Sequence, residues 1–217
     1  MSESLVIFLR YPAAGEVKTR LVPALGEVGA ARFYRKMAES VCSKVNSNAR
    51  IDRRGIAYFT PHSAESQIQA WLGSELQLRA QPEGDLGKRL DHIFGERFDS
   101  GDSSVVAIGT DCVDLDGNLV DAAFNQLKSN DAVLGPAQDG GYYLIGLSKP
   151  MPGLFENIPW SSHDTFDATV QKLRKFEAKL SCLKTLRDID VPEDLKHLSV
   201  DWKQSAKGCM DAREVWD

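Results

Sequence analysis

No part of this chain is apolar for long. The first hydrophobic run, Leu5 to Leu9, follows the acidic opening Met1-Ser-Glu-Ser. It is too short for a membrane span and lacks the cationic start of a secretory leader. The expectation is a cytoplasmic protein with no membrane insertion. Cysteine is scarce too: Cys42, Cys112, Cys182 and Cys209 lie far apart, with no Cys-x-x-Cys pair. That excludes a thiolate zinc site and a disulfide framework, and leaves buried, reduced thiols as the expectation. Positive charge is in deficit. Lys and Arg total 26 against 31 Asp and Glu, and the four histidines are scattered. A net charge of −5 offers no basic surface of duplex size, so nucleic acid is excluded as a partner. There is no internal repeat and no low-complexity tract.

What remains is ordinary for a globular protein, 42% apolar and 26% charged residues. The 217 residues suit one α/β domain, 1–217, better than two small ones. A strand, Leu5 to Leu9, leads into a long loop, Arg10 to Gly26. A helix follows from about Val28 to Lys44, with Ala31, Tyr34, Ala38, Val41 and Val45 at three- and four-residue steps. Gly55 to Thr60 reads as a strand, Pro61 to Trp71 as a helix and Leu76 to Ala80 as a short strand. The glycine-bearing turn Gln81 to Gly87 then precedes a helix, Lys88 to Phe98. Further along come a helix from about Asn118 to Lys128 and strands Asp131 to Pro136 and Gly140 to Leu147. A helix, Phe166 to Lys175, turns Thr169, Val170 and Leu173 inward, and Leu183 to Leu186 is a late strand. From about residue 199 the tail is polar apart from Trp202, Val215 and Trp216, and has no place in the pattern. Alternating strands and helices predict an α/β class with a mainly parallel central sheet and helices on both faces.

The chain is organised around Ser104-Val-Val-Ala-Ile-Gly-Thr-Asp-Cys-Val-Asp-Leu115. Val105 to Ile108 is an unbroken, mostly β-branched run that suits a central strand covered on both faces. Ligands of open parallel sheets bind beyond the carboxyl ends of the strands, which is where Asp111 stands. Asp114 and Asp116 follow, and three carboxylates so close supply the hard oxygens that Mg2+ or Mn2+ uses. Asp114 and Asp116 serve equally as caps for the next helix.

Three further constellations bear on chemistry. In Gly15-Glu-Val-Lys-Thr-Arg20, Lys18 and Arg20 project from the loop after the first strand. A mobile point charge beside a bidentate fork suits polyphosphate, though a solvated basic turn fits the same spacing and the Walker pattern is absent. In Asp139-Gly-Gly-Tyr-Tyr143, paired glycines allow close backbone approach or a positive-φ turn, and a plain hairpin explains them as well. Asp188-Ile-Asp190 ends the last strand before Pro192, with both carboxylates on one side by alternation. Alternatively, Asp190 or Val191 caps a helix starting at Pro192.

These motifs, in order, resemble a known family. Arg-Tyr-Pro-x-x-Gly-x-Val-Lys-Thr-Arg-Leu, Gly-Thr-Asp-Cys-x-Asp-Leu, Gly-Pro-x-x-Asp-Gly-Gly-Tyr-Tyr-Leu-Ile-Gly, Pro-Trp-Ser and Asp-Ile-Asp-x-Pro-Glu-Asp-Leu look like the bacterial glycosyltransferase-like family of the nucleotide-diphospho-sugar transferase (GT-A) superfamily. That family is similar to the 2-phospholactate guanylyltransferases. The match runs from Leu5 to Leu198, with Arg10 where lysine is usual and Val113 where proline is usual. The resemblance implies a Rossmann-like GT-A domain in which Lys18 and Arg20 grip donor phosphates. It implies that Asp111 and Asp190 hold Mg2+ or Mn2+, with Asp188 in reserve. Gly15, Gln81, Gly84, Leu86 and Gly87 would complete the nucleotide site, Gln81 to Gly87 as the turn that reads the base. Asp139, Gly140, Gly141, Tyr142, Tyr143, Trp160 and Ser161 would line the acceptor side.

The implied activity is metal-dependent transfer from a nucleoside triphosphate or nucleotide-sugar donor to a small-molecule acceptor. The first version is nucleotidyl transfer to a phosphorylated acceptor, and the alternative is glycosyl transfer. A nucleotide-binding module without turnover is the third reading, which the two acidic residues Asp111 and Asp190 disfavour.

Overall fold

The computed structural model describes residues 2–46, 53–74 and 76–211. Seven strands form one sheet, β1 (Ser2–Arg10), β2 (Arg53–Thr60), β3 (Gln77–Ala80), β4 (Asp102–Ile108), β5 (Ala132–Pro136), β6 (Tyr142–Leu147) and β7 (Leu180–Cys182). Their spatial order is β3-β2-β1-β4-β6-β5-β7. All neighbouring pairs are parallel except those of β6, which runs antiparallel to β4 and β5. The helices are α1 (Val22–Asn46, broken at Gly26, where φ is 73°), α2 (Glu65–Leu72), α3 (Leu86–Asp99), α4 (Gly117–Leu127), α5 (Thr165–Lys175) and α6 (Val200–Asp211). No helix among the described residues is long and apolar enough to cross a membrane.

Alternation along the central strands builds two cores. Leu5, Ile7 and Leu9 of β1, with Val106 and Ile108 of β4, meet α1, α2 and α4 on one face. Val6, Val105 and Ala107 meet Leu90, Ile93 and Phe94 of α3 and Leu173 of α5 on the other. Successive side chains of a strand point to opposite faces, so a continuous apolar run such as Val105 to Ile108 needs both layers. A third cluster joins the first half of α1 to α6, with Phe33 edge-on to Trp202 at 5.9 Å.

The chain moves outward from β1 to β2 and β3, then returns to the other side of β1 as β4. The strand order therefore reverses between β1 and β4, which opens a crevice at their carboxyl ends. The sheet is held there in register, Leu5 beside Val106 and Ile7 beside Ile108.

Of the readings open for Asp139 to Tyr143, the plain hairpin holds, and the strand expected over Gly140 to Leu147 runs antiparallel to its neighbours. β5 and β6 form a hairpin, closed by the Ala137 amide donating to Gly141 O at 3.0 Å. The late strand lies at Leu180–Cys182, earlier than expected, and Leu186 makes only an isolated bridge with Ala137. Lys184 and Thr185 are exposed between Leu183 and Leu186, and local propensity there carries no trace of the edge strand's true register. Leu86 and Gly87 belong to α3 rather than to the turn, because Asp85 caps the helix by accepting from the Lys88 amide. The tail has a place after all: α6 packs on α1, with Ala206 and Cys209 buried. Val215 and Trp216 lie outside the described residues. Cys42, Cys112 and Cys209 are buried free thiols, but Cys182 is exposed on the edge strand.

Gly140 ties the hairpin to the segment before α5. Its φ is +89°, and a Cβ there would collide with the backbone of His163. Gly140→Ala should therefore destabilise the fold by about 2–4 kcal/mol through combined backbone strain and displacement. Urea unfolding measures this. A midpoint unchanged from the parent would show that the two segments are not interlocked.

Candidate functional site

The loop after β1 is pinned by two buried side chains, Val17 and Leu21. Between them Lys18 adopts a left-handed conformation, φ 47° and ψ 43°, uncommon for a residue with a side chain. Its carbonyl accepts from the Leu21 amide at 2.8 Å, closing the short 3-10 helix Thr19–Leu21. The turn sends Lys18 and Arg20 into a cleft of about 730 Å3 at the carboxyl ends of β1 and β4.

Asp111 reaches the same cleft from the end of β4. The Lys18 ammonium lies 2.7 Å from its carboxylate and 3.5 Å from that of Asp190. Both contacts share one nitrogen, so these two oxygens are separated by no more than their sum, about 6.2 Å. Arg20 closes the group with a 2.8 Å bond to Asp190. The Lys18 side chain is only 6% exposed, against 50% for Asp111 and 37% for Asp190. Burial alone would lower its pKa, but Asp111 first, then Asp190 and Asp188, outweigh burial and hold the ammonium above its ordinary range.

Asp190 is not at a strand end. The chain beyond β7 runs extended across the sheet edge, with Leu186 donating to Pro136 O and Ile189 donating to Asp111 O at 3.0 Å each. That last bond, with Ile189 buried, brings Asp188 and Asp190 beside Asp111. Nor is Asp190 a helix cap. Asp194 accepts from the amides of Asp190 and Val191 and from Arg187, leaving the Asp190 side chain to Lys18 and Arg20. Asp116 is the cap of α4, accepting from the Leu119 amide at 3.0 Å. Asp114 is exposed and outside the cleft lining.

Of the other expected residues, Gln81, Leu86, Asp139, Tyr142, Tyr143, Ser161 and Asp188 line the cleft. Gly15, Gly84, Gly87, Gly140, Gly141 and Trp160 lie outside that lining. The glycines act through the backbone. Gly15 and Gly84 have positive φ, and a Cβ on Gly87 would stand 2.6 Å from Phe155 O and 2.8 Å from Trp160 Nε1. Gly141 donates its amide to the Asp139 carboxylate at 2.8 Å, which shapes the hairpin turn. Trp160 stacks edge-on against Tyr142. Gln81 donates its side-chain amide to Leu9 O and Tyr58 O, so both of its donors serve the strand ends.

Two cleft residues escape the sequence reading. Tyr34 looks like one more inward position of α1, yet its hydroxyl accepts from the Arg10 amide at 2.8 Å and from Thr110 Oγ1 at 3.3 Å. It joins the end of β1 to the end of β4. A tyrosine buried among alanines and valines, with a polar tip that needs partners, is the one available signal. Burial, with Asp111 adding, holds its hydroxyl above the usual phenol range and so neutral. Arg89 of α3 is the second, masked by an aspartate four residues earlier that serves as the helix cap instead.

Among the described residues no three His, Cys, Asp or Glu side chains are grouped to hold a metal ion by themselves. Mg2+ is commonly held by one or two carboxylates together with substrate phosphates and water. Asp111 and Asp190 fit that donor set. In their present arrangement Lys18 supplies the positive charge the pair requires.

Asp188 lines the cleft half-buried. Burial, then the charge of Asp139, pushes its carboxyl from an ordinary 3.8 up to about 6. The native carboxyl therefore holds its proton more tightly than the unfolded chain does. Folding takes up a proton between about pH 4 and 6, and ionised Asp188 destabilises the fold above that window. Asp188→Asn should stabilise the protein at pH 8 by about 1 kcal/mol, after discounting for solvent screening of a half-buried group. The gain should vanish as pH falls to about 4. Unfolding midpoints that differ equally at both pH values would contradict this origin.

Comparison with known proteins places this geometry. No curated protein matches the chain. A protein from Desulfovibrio desulfuricans G20, provisionally named a nucleotide-diphospho-sugar transferase, is 32% identical, with 97% of each chain covered and a TM-score of 0.84. The inositol-1-phosphate CTP transferase from T. maritima is 14% identical, covering 99% of this chain and 98% of its own, at a TM-score of 0.59. The 4-diphosphocytidyl-2C-methyl-D-erythritol synthase from Anaerococcus prevotii DSM 20548 is 12% identical, with 95% of each covered, also at 0.59. The last two share the fold alone. The architecture is that of the nucleotide-diphospho-sugar transferases, a seven-stranded, mostly parallel sheet between helices. A family model described as "Uncharacterized protein conserved in bacteria (DUF2064)" matches residues 45–162, and the chain belongs to that bacterial family.

Proposed function

We propose that the protein is a metal-dependent transferase that takes a nucleotide-activated donor at the crevice between β1 and β4. The observation that carries this reading is the contact of Lys18 with Asp111 at 2.7 Å, made by two loops that leave adjacent strands where the strand order reverses. Donor phosphates would replace carboxylates as partners of Lys18 and Arg20. Asp111 and Asp190 would hold Mg2+ or Mn2+, which neutralises charge on the phosphate oxygens when bound. The chain's own work is to position the phosphates and to offset the charge of the leaving group.

In the favoured version the donor is a nucleoside triphosphate. A phosphate oxygen of a small acceptor attacks the α-phosphorus, its bond to the β-phosphate oxygen breaks, and pyrophosphate leaves. Two cations so close, Lys18 and Arg20, suit the higher charge of a triphosphate. This version also agrees with the guanylyltransferase resemblance of the motifs. In the second version the donor is a nucleotide-sugar. An acceptor oxygen attacks the anomeric carbon and a nucleoside diphosphate leaves. The name given to the D. desulfuricans relative favours it. Asp188, which lines the cleft with Asp111 and Asp190, would take the proton of the acceptor hydroxyl. A binding module without turnover would have no use for Asp111 and Asp190 converging on one centre.

Calorimetric titration with nucleoside triphosphates and nucleotide-sugars, each with Mg2+ or Mn2+, tests the reading and separates its two versions. Lys18→Ala and Arg20→Ala should each weaken triphosphate binding by roughly 10–100-fold, as expected for a lost charge-assisted hydrogen bond. Monophosphates should lose less and nucleosides almost nothing. Asp111→Asn should abolish the metal-dependent part of binding with the fold intact. Equal losses for nucleoside and triphosphate would make the loop structural and sink the assignment.

A further inference from the structure

We propose that Arg89 is the receptor for an oxyanion, a carboxylate or phosphate group, carried by the second substrate. The assignment to that substrate rests on the transferase reading above, whereas the anion site itself does not. Arg89 lies in the first turn of α3 and lines the cleft beside the apolar side chains of Leu86, Leu90 and Phe8. Among the described residues its side chain makes one hydrogen bond, from a terminal nitrogen to Gln81 Oε1 at 2.8 Å. Its Nε is shut off from water and has no partner. No carboxylate among the described residues lies within ion-pair distance of it. Other guanidiniums drawn in from solvent are paired: Arg53 with Glu3 and Asp121, Arg97 with Glu96 and Asp102, Arg187 with Asp194.

A cation partly withdrawn from water, with its Nε fully so, is unfavourable without a counter-charge, and a position near the positive end of a helix makes it more so. The local acid, Asp85, does not relieve it, because its carboxylate caps the Lys88 amide. Yet the guanidinium is held firmly. Gln81 donates to Leu9 O at 3.1 Å and to Tyr58 O at 3.0 Å, so its carbonyl is fixed by two strands and steadies Arg89 in turn. An oriented cation with spare N–H donors in a ligand-sized cleft is built for a partner that brings negative charge. The guanidinium edge matches the two oxygens of a carboxylate or phosphate. A neutral base would satisfy a donor but leave the charge uncompensated. Donor phosphates are matched by Lys18 and Arg20, and Gln81 spends both of its donors on Leu9 O and Tyr58 O and so has none left to read a base, which leaves the anion at Arg89 to the acceptor.

The test uses the full chain with its arginine Nε–H groups followed by 15N NMR during titration with inorganic phosphate and, separately, with acetate. The Arg89 Nε–H signal should shift saturably with one of them, which also tells phosphate from carboxylate. Arg89→Met should weaken that anion at least tenfold, the loss expected for a charged hydrogen bond. It should melt no lower than the parent, since it removes an unpaired charge. Arg89→Lys, which keeps the charge and loses the fork, should retain part of the affinity. An Arg89 signal unmoved by both anions overturns the proposal, as does an Arg89→Met protein that melts several degrees lower with anion affinity unchanged. Nucleotide binding is read in parallel on the same proteins. If the parent binds no nucleotide while the Arg89 signal responds, the transferase reading fails and the anion site stands.

Discussion

One buried ammonium organises the functional end of this protein. Lys18 is almost fully enclosed, and it stays charged because Asp111 and Asp190 flank it at 2.7 and 3.5 Å. Without Lys18 two acidic loops would repel each other, and without the acids a lysine would be buried in the left-handed region of backbone space with no return on the strain. The loop after β1, the end of β4 and the segment beyond β7 therefore depend on one another. Tyr34 reinforces the arrangement from below by accepting bonds from both Arg10 and Thr110.

That dependence has a chemical consequence. A site whose carboxylates are already neutralised by a lysine gives up little to a free metal ion. Under the proposed function it would gain most when a polyphosphate takes the lysine and leaves the carboxylates to an accompanying cation. Each charged group would then keep a partner of opposite sign, which limits the cost of desolvation at each stage. Arg89 lies outside this balance, a fixed cation with no carboxylate of its own.

The fold was legible in the sequence where burial is symmetric. Val105 to Ile108 announced a central strand because both faces of the sheet are covered, and Asp111 followed from the strand's end. Lys18 and Arg20 stood out because a basic pair in a long loop has few structural uses. The direction of β6 was legible only as one of two options, since Gly140 and Gly141 fit a hairpin but the apolar run itself looks the same in either orientation. The late strand was misplaced because edge pairing depends on a neighbour's register rather than on local propensity. Asp190 was placed at a strand end, which it does not occupy. It reaches the site through the Ile189 amide on Asp111 O, a tertiary contact with no local signature. Tyr34 and Arg89 were missed because each sits on a helix in a position with an ordinary structural explanation.

If polyphosphate and metal share the centre formed by Lys18, Asp111 and Asp190, their binding must be linked, and linkage is reciprocal. Counting free Mn2+ by electron paramagnetic resonance, with and without a bound nucleoside triphosphate, measures that linkage directly once the metal held by free nucleotide is subtracted. The predicted result is weak Mn2+ binding to the protein alone, with triphosphate and Mn2+ each tightening the other by one common factor. Mn2+ affinity indifferent to triphosphate would contradict a shared site.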